Sequence, residues 1–217
     1  GVSIKVLEPC TRYALGCNDG DRLRADLIFD AVMPPEPLTG VGSTFGSAHH
    51  FDQFGRVRGE LVLHGETIAI DCIGMRDRTW GRRPEDRPRQ AAYVTAAADS
   101  NNGFLAVTNT RPDGDLVAYG FLRRDGETVS LASGERTVVR DPSNGWITEI
   151  QLNAIDENGR ELRAVGRPLS RLIINRHTFI DINSLIQWEL DGTTAWGEDQ
   201  DMWPVHRWSR MRRQGDL

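Results

Sequence analysis

Residues 76–83 read Arg-Asp-Arg-Thr-Trp-Gly-Arg-Arg, with four arginines, one acid and one tryptophan at the expected exit of a strand. Opposite charge on both sides of Asp77 keeps its carboxylate ionised. Such a carboxylate can take a proton or stabilise a cationic intermediate. An ion-pair knot closing the end of a sheet is the plainer use of the same residues. Alternation along a strand puts Asp77 and Trp80 on opposite faces, so they converge only if the strand bends.

A second group is His49-His50-Phe51-Asp52-Gln53. Period two places His50 and Asp52 on one face and His49, Phe51 and Gln53 on the other. A His–Asp pair can act as general acid or base, although a hydrogen-bonded structural histidine is the commoner role. A third group sets Glu198, Asp199 and Asp201 among Trp196, Trp203 and Trp208. Asp199 and Asp201 could share a divalent cation, but the spacing lacks the calcium-loop pattern. The expectation is therefore an acidic rim on an aromatic-lined pocket, or a loop whose tryptophans plug a barrel end. In the stretch 177–183, His177, Phe179, Asp181 and Asn183 share a face, which suits either a ligand cavity or a solvent-facing edge strand.

The elements that must carry these groups have period two throughout. Val57–Leu63 and Thr67–Ile73 flank a turn at His64-Gly65. Asp125-Gly126 and Asn158-Gly159 separate two further strand pairs. Ala91–Ala97, Phe104–Asn109, Leu172–Asn175 and Leu185–Leu190 also read as strands, and only a short helix near the C-terminus is admissible. Ten or more strands with turns every 8–12 residues predict an all-β antiparallel barrel or sandwich. The Pro/Gly/Ser-rich run 34–47 predicts a boundary, giving a partial β-unit with its linker over 1–46 and a barrel over 47–217. All six tryptophans follow that boundary.

Composition excludes several classes. A net charge of -5 gives no electrostatic case for nucleic acid. There is no apolar run long enough to span a bilayer. Lys5 is the only lysine against 25 arginines, so neither a phosphate-loop lysine nor a Schiff-base lysine is on offer. No Gly-x-Ser-x-Gly, Cys-x-x-Cys or His-Glu-x-x-His motif occurs. No cofactor and no metal are expected. Three cysteines without a framework point to reduced thiols and a cytoplasmic setting. A start at Gly1 rather than Met suggests a processed or partial chain.

The residues His50-x-x-Gln53, Gly55-Arg56, Gly59 and Gly74-x-Arg76-Asp77-x-x-Trp80-Gly81-x-Arg83 resemble the bacterial tandem-lipocalin proteins related to hydroxyneurosporene synthase, the carotenoid 1,2-hydratase. Fungal lipocalin-type Diels–Alderases look related to the same group. The resemblance covers about Leu23 to Trp208. It implies paired lipocalin-like (calycin) β-units, of which residues 1–46 would be the C-terminal part of the first. A missing N-terminal β-unit or a homo-oligomer would then complete the molecule. The family run has His and Ser where this chain has Arg78 and Thr79, and arginine cannot shuttle a proton near neutral pH. Family chemistry would therefore fall to Asp77, His50 and Glu198. Trp80, Arg76, Gln53, His177, Trp196 and Trp203 would bind substrate.

The implied activity is that of a cofactor-independent lyase, isomerase or cyclase of the hydratase type. Its substrate would be a hydrophobic terpenoid, sterol-like or polyketide molecule. The alternative is a non-catalytic lipocalin-like carrier of a hydrophobic ligand, and a scaffold domain is a third reading. Both small-molecule readings assume an aromatic-lined hollow inside the barrel, reached by Asp77 and Trp80.

Overall fold

The computed structural model describes residues 1–37, 49–81 and 90–214. The chain divides into two compact units, Gly1–Pro37 with His49–Trp80, and a second whose described residues run from Gly81 onward.

The first unit is an antiparallel sheet of β1 (Val2–Glu8), β2 (Arg12–Asn18), β3 (Leu23–Ala31), β5 (His49–Leu63) and β6 (Glu66–Trp80), in that order. The two-residue β4 (Glu36–Pro37) pairs with Phe51 and Asp52 of β5, just beyond the end of β3. The β5–β6 hairpin turns at His64-Gly65 as expected, both residues having positive φ. The boundary expected at residue 46 moves. Gly55–Leu63 pairs with Leu23–Ala31 residue for residue, so β5 and β6 belong to the first sheet and not to the barrel. Gly55 permits this sheet to form, because any Cβ there would lie 2.2 Å from the Phe29 ring. The strand β1 was not expected, and Lys5 lies within it.

Register sorts this sheet into two unlike faces. Val2, Ile4 and Val6 of β1 stand beside Cys17, Leu15 and Tyr13, and these beside Ala25, Leu27 and Phe29. Gly59, Val57, Leu61, Ile70, Cys72 and Ile68 continue the same face. The opposite face carries Lys5, Arg12, Arg24, Asp26, Asp30, Arg56, Arg58, Glu60 and Asp71. Arg56 and Asp71 there form a two-point ion pair.

The second unit closes. Its strands are β7 (Ala91–Ala97), β8 (Gly103–Arg111), β9 (Gly114–Arg124), β10 (Glu127–Arg140), β11 (Ile147–Asp156), β12 (Glu161–Pro168), β13 (Leu172–Asn175), β14 (Phe179–Leu190) and β15 (Thr193–Pro204). The order β7-β8-β9-β10-β11-β12-β14-β15 returns to β7, giving an eight-stranded antiparallel barrel with β13 paired beside β14. The residues around Trp196–Pro204 form a full strand, not the expected loop. A helix, α1 (Val205–Gln214), follows directly. Its Met211 is buried, and Trp208 meets Trp146 at 5.6 Å and Trp203 at 6.0 Å. Arg140, Arg171 and Arg212 lie over these rings.

Closure turns alternating residues inward. Phe104, Leu122, Leu152, Leu162, Ile186 and Trp188 are buried almost completely, each contributing about 2 kcal/mol by burial. Trp188 occupies the space left by the missing side chain of Gly166 and meets Phe104 edge-on at 5.4 Å. The expected aromatic-lined hollow is not found at these positions, which are packed. Asp77 and Trp80 belong to the first unit and not to the strands of the barrel.

Candidate functional site

The strongest chemical grouping lies where β5 begins and β6 ends. Register places His50 opposite Thr79 and Asp52 opposite Asp77, on one face, as period two requires. His50 Nε2 lies 2.9 Å from Asp52 Oδ2 and 3.9 Å from Asp77 Oδ2, and His50 Nδ1 lies 2.6 Å from Thr79 Oγ1. His50 and Asp52 are buried, whereas the Asp77 side chain is 55% exposed. An ionised Asp52 only accepts, so Nε2 carries a proton toward it. The Thr79 hydroxyl can donate to a neutral ring or accept from an imidazolium. The group can therefore take or release a proton without moving a heavy atom. Each of His50, Asp52 and Asp77 also offers a ligand atom within 4.8 Å of the others, a set that a divalent cation could share in place of the proton.

The remaining predicted residues of this strand pair lie on the other face. Gln53, Arg76, Arg78 and Trp80 alternate with the group above. Gln53 is fully buried and its amide donates to the carbonyls of Cys10 and Met33 at 2.8 Å. Arg76 donates to Gln53 Oε1 at 3.2 Å, with its guanidinium 4.5 Å from the Tyr13 ring and 4.6 Å from Phe51. Trp80 stacks on His49 at 5.4 Å and 22°, with Arg78 on its ring at 5.9 Å. The strand pair runs in unbroken register from His49 to Leu63, so the bend needed to bring Asp77 and Trp80 together does not occur. Trp80 cannot shield a cation held at Asp77. Arg78 also points away from His50.

The other predicted residues belong to the barrel unit. Glu198 is half-buried on the outer side of β15, its backbone N–H donating to Thr95 Oγ1 at 3.3 Å. Trp196 is half-exposed beside it. His177 is exposed in the turn before β14, at φ 68, rather than within an alternating strand. Trp203 donates from Nε1 to Asp201 Oδ2 at 2.9 Å.

Sequence reasoning missed Arg136 altogether. Its guanidinium is fully buried in the barrel and donates to both oxygens of Asp199 and to Asp115, and lies 3.9 Å from Asp201. Arg140 donates to Asp201 at 2.8 Å. Burial raises the Asp199 pKa to about 6, in opposition to the Arg136 charge, and Asp201 adds to the rise. Burial would lower the Arg136 pKa, but its three carboxylates outweigh that and raise it. The cation that Asp199 and Asp201 share is thus arginine. The available signal was an arginine at an inward position of an alternating strand, matched by two aspartates with the same period in β15. Asp181, also buried, is raised by desolvation and meets Arg176 Nε at 3.3 Å.

A family model described as "Domain of unknown function (DUF7064)" matches residues 1–204. No curated protein matches the chain. A crystal structure of a protein from Nitrosomonas europaea, described as a "putative AttH", has a similar fold, with a TM-score of 0.66 at 15% identity. The match covers 90% of this chain and 65% of that one, so the chain spans somewhat less than two thirds of that protein's length. The fold is accordingly an antiparallel lipocalin-like barrel with a further β-unit before it. Among the described residues no helix is long and apolar enough to cross a membrane.

Proposed function

The chain belongs to the DUF7064 family, whose description assigns no activity, and we propose from its own residues that it is a lipocalin-like carrier holding a hydrophobic small molecule on the apolar face of the β1–β6 sheet. One observation carries this reading. Val2, Ile4 and Val6, at the outermost strand, are 80%, 69% and 55% exposed, and Leu15, Leu27, Leu61, Ile68 and Ile70 extend them across the sheet. A contiguous apolar surface of this kind marks an interaction site. The three cysteines are free, which fits a reducing, cytoplasmic setting. Solvent extraction of the purified protein followed by mass spectrometry tests the reading. An apolar compound released from the native chain, and lost from the Ile4→Asp/Ile68→Asp variant, supports it. Equal retention by both, or none by either, contradicts it.

A second reading is favoured by the His50–Asp52–Asp77 group. Here the protein is a cofactor-independent lyase or isomerase in which His50 moves a proton, Asp52 orients the ring, and Asp77 meets the substrate. The assay is gain or loss of water from unsaturated or hydroxylated terpenoids, read as an 18 Da mass change. The expected result is turnover lost in His50→Gln and insensitive to chelator. Turnover unchanged in His50→Gln removes the reading.

A further inference from the structure

The apolar face of the first sheet is charged asymmetrically. Along β1, β2 and β3 it carries no ionisable acid or base except the Tyr13 phenol and the Cys17 thiol, and along β5 and β6 its formal charges stand at the two ends. Glu66 lies at the hairpin end, and Arg76 and Arg78 lie at the other. Among the described residues neither arginine meets a carboxylate. Arg76 has one acceptor, Gln53, for its five N–H groups, and Tyr13 and Phe51 hold its plane in place. Arg78 is exposed beside Trp80 and forms no hydrogen bond among the described residues. Of the acids of this strand pair, Asp52, Glu60, Asp71 and Asp77 project from the opposite face, and Glu66 shares the face with the arginines only at the far end of the hairpin.

We infer that the ligand of this face is an amphiphilic anion, a long-chain molecule ending in a carboxylate or comparable acid. Its tail lies over Ile70, Ile68, Leu61 and Leu27, and its acid meets Arg78 and the free N–H edge of Arg76. This rests on the carrier reading above and narrows it. Three features select the class. Fixed guanidiniums pair with planar anions through two parallel hydrogen bonds, which a neutral terpenoid cannot supply. Lining the rest of the face with aliphatic groups rejects a second charge on the ligand. From Ile70 to Arg78 the strand runs eight residues, about 26 Å, a span that suits an extended chain rather than a compact ring system. A second copy of the chain is a poorer occupant. Docking the same face on itself would supply one carboxylate, Glu66 of the hairpin end, for the two guanidiniums of the other.

The test is fluorescence titration of the full chain with a polyene fatty acid, cis-parinaric acid, and with its uncharged methyl ester. The acid is expected to bind about tenfold more tightly than the ester, as one charge-assisted contact gives. Added salt should weaken the acid and not the ester. Arg78→Gln, an exposed position that does not threaten folding, should bring the acid down to the ester's affinity and leave the ester unchanged. Equal binding of acid and ester, or acid binding untouched by Arg78→Gln, overturns the anionic ligand while leaving a carrier of neutral ligands standing. Binding of neither probe, or a stable dimer by sedimentation whose formation excludes both, overturns the inference and the carrier reading together.

Discussion

In the barrel Arg136, Asp199 and Asp201 point inward and are paired, while in the β1–β6 sheet the aliphatic side chains of β1 on one face stay exposed. Both sheets are antiparallel and both alternate strictly. Closure makes the difference. In a ring of eight strands every inward position is taken from water, so an arginine there must collect carboxylates, and Arg136 collects three. In the β1–β6 sheet Val2, Ile4 and Val6 of one face remain at the surface, whereas Tyr13, Phe29 and Gln53 further along that face are buried.

Breaking the barrel's ion network should have the largest effect. Arg136→Met leaves the buried Asp199 and Asp201, and the partly buried Asp115, with too little positive charge, and should cost about 3–5 kcal/mol in urea denaturation. Adding Asp199→Leu should recover part of that loss. If Arg136→Met costs under about 1 kcal/mol, the interior is wetter than described and the contrast weakens.

A matched pair sharpens it further. Gly120 in the barrel and Gly59 in the sheet have nearly the same conformation, at φ 151 and 147. Each would put a Cβ 2.1 Å from a neighbouring strand's carbonyl oxygen. Gly120→Ala should cost about 3 kcal/mol, and Gly59→Ala roughly half as much, because an open sheet can splay where a closed one cannot. Equal costs would show that closure is not what matters.

Asp199 supplies a pH test. Its folded pKa of about 6 is raised by burial above the unfolded value. The folded state therefore holds the proton that the unfolded state has already released. The contribution to stability is fully present below the unfolded pKa and is lost as pH rises through about 6. Unfolding measured at pH 5 and pH 7 should show the native chain losing more stability across this interval than Asp199→Asn. Equal losses would remove the assignment. The smallest effect belongs to the sheet surface, where Ile4→Ser should change stability by less than about 0.5 kcal/mol while weakening ligand retention.

Period two made most of this legible in the sequence. It placed His50 with Asp52, and His49, Phe51 and Gln53 on the other side, and the pairing of β5 with β6 keeps that division. It also warned that Asp77 and Trp80 diverge, a warning that the expected hollow overrode. The boundary was misplaced because the Pro/Gly/Ser run marks a connection, whereas sheet membership is decided by which strand β5 pairs with, a long-range matter invisible to local composition. Arg136 was passed over because a charged residue in a strand reads as solvent-facing until its partners, more than sixty residues away in β15, are known. His177 failed for the opposite reason, since its turn interrupts the alternation that seemed to include it.

The most direct test is a methyl NMR titration of the full chain with a long-chain fatty acid. The account predicts shifts at Ile4, Leu27, Ile68 and Ile70, with Leu152, Leu162 and Ile186 of the barrel unmoved. Shifts confined to the barrel methyls would place the ligand where the packing leaves it no room and would contradict the account.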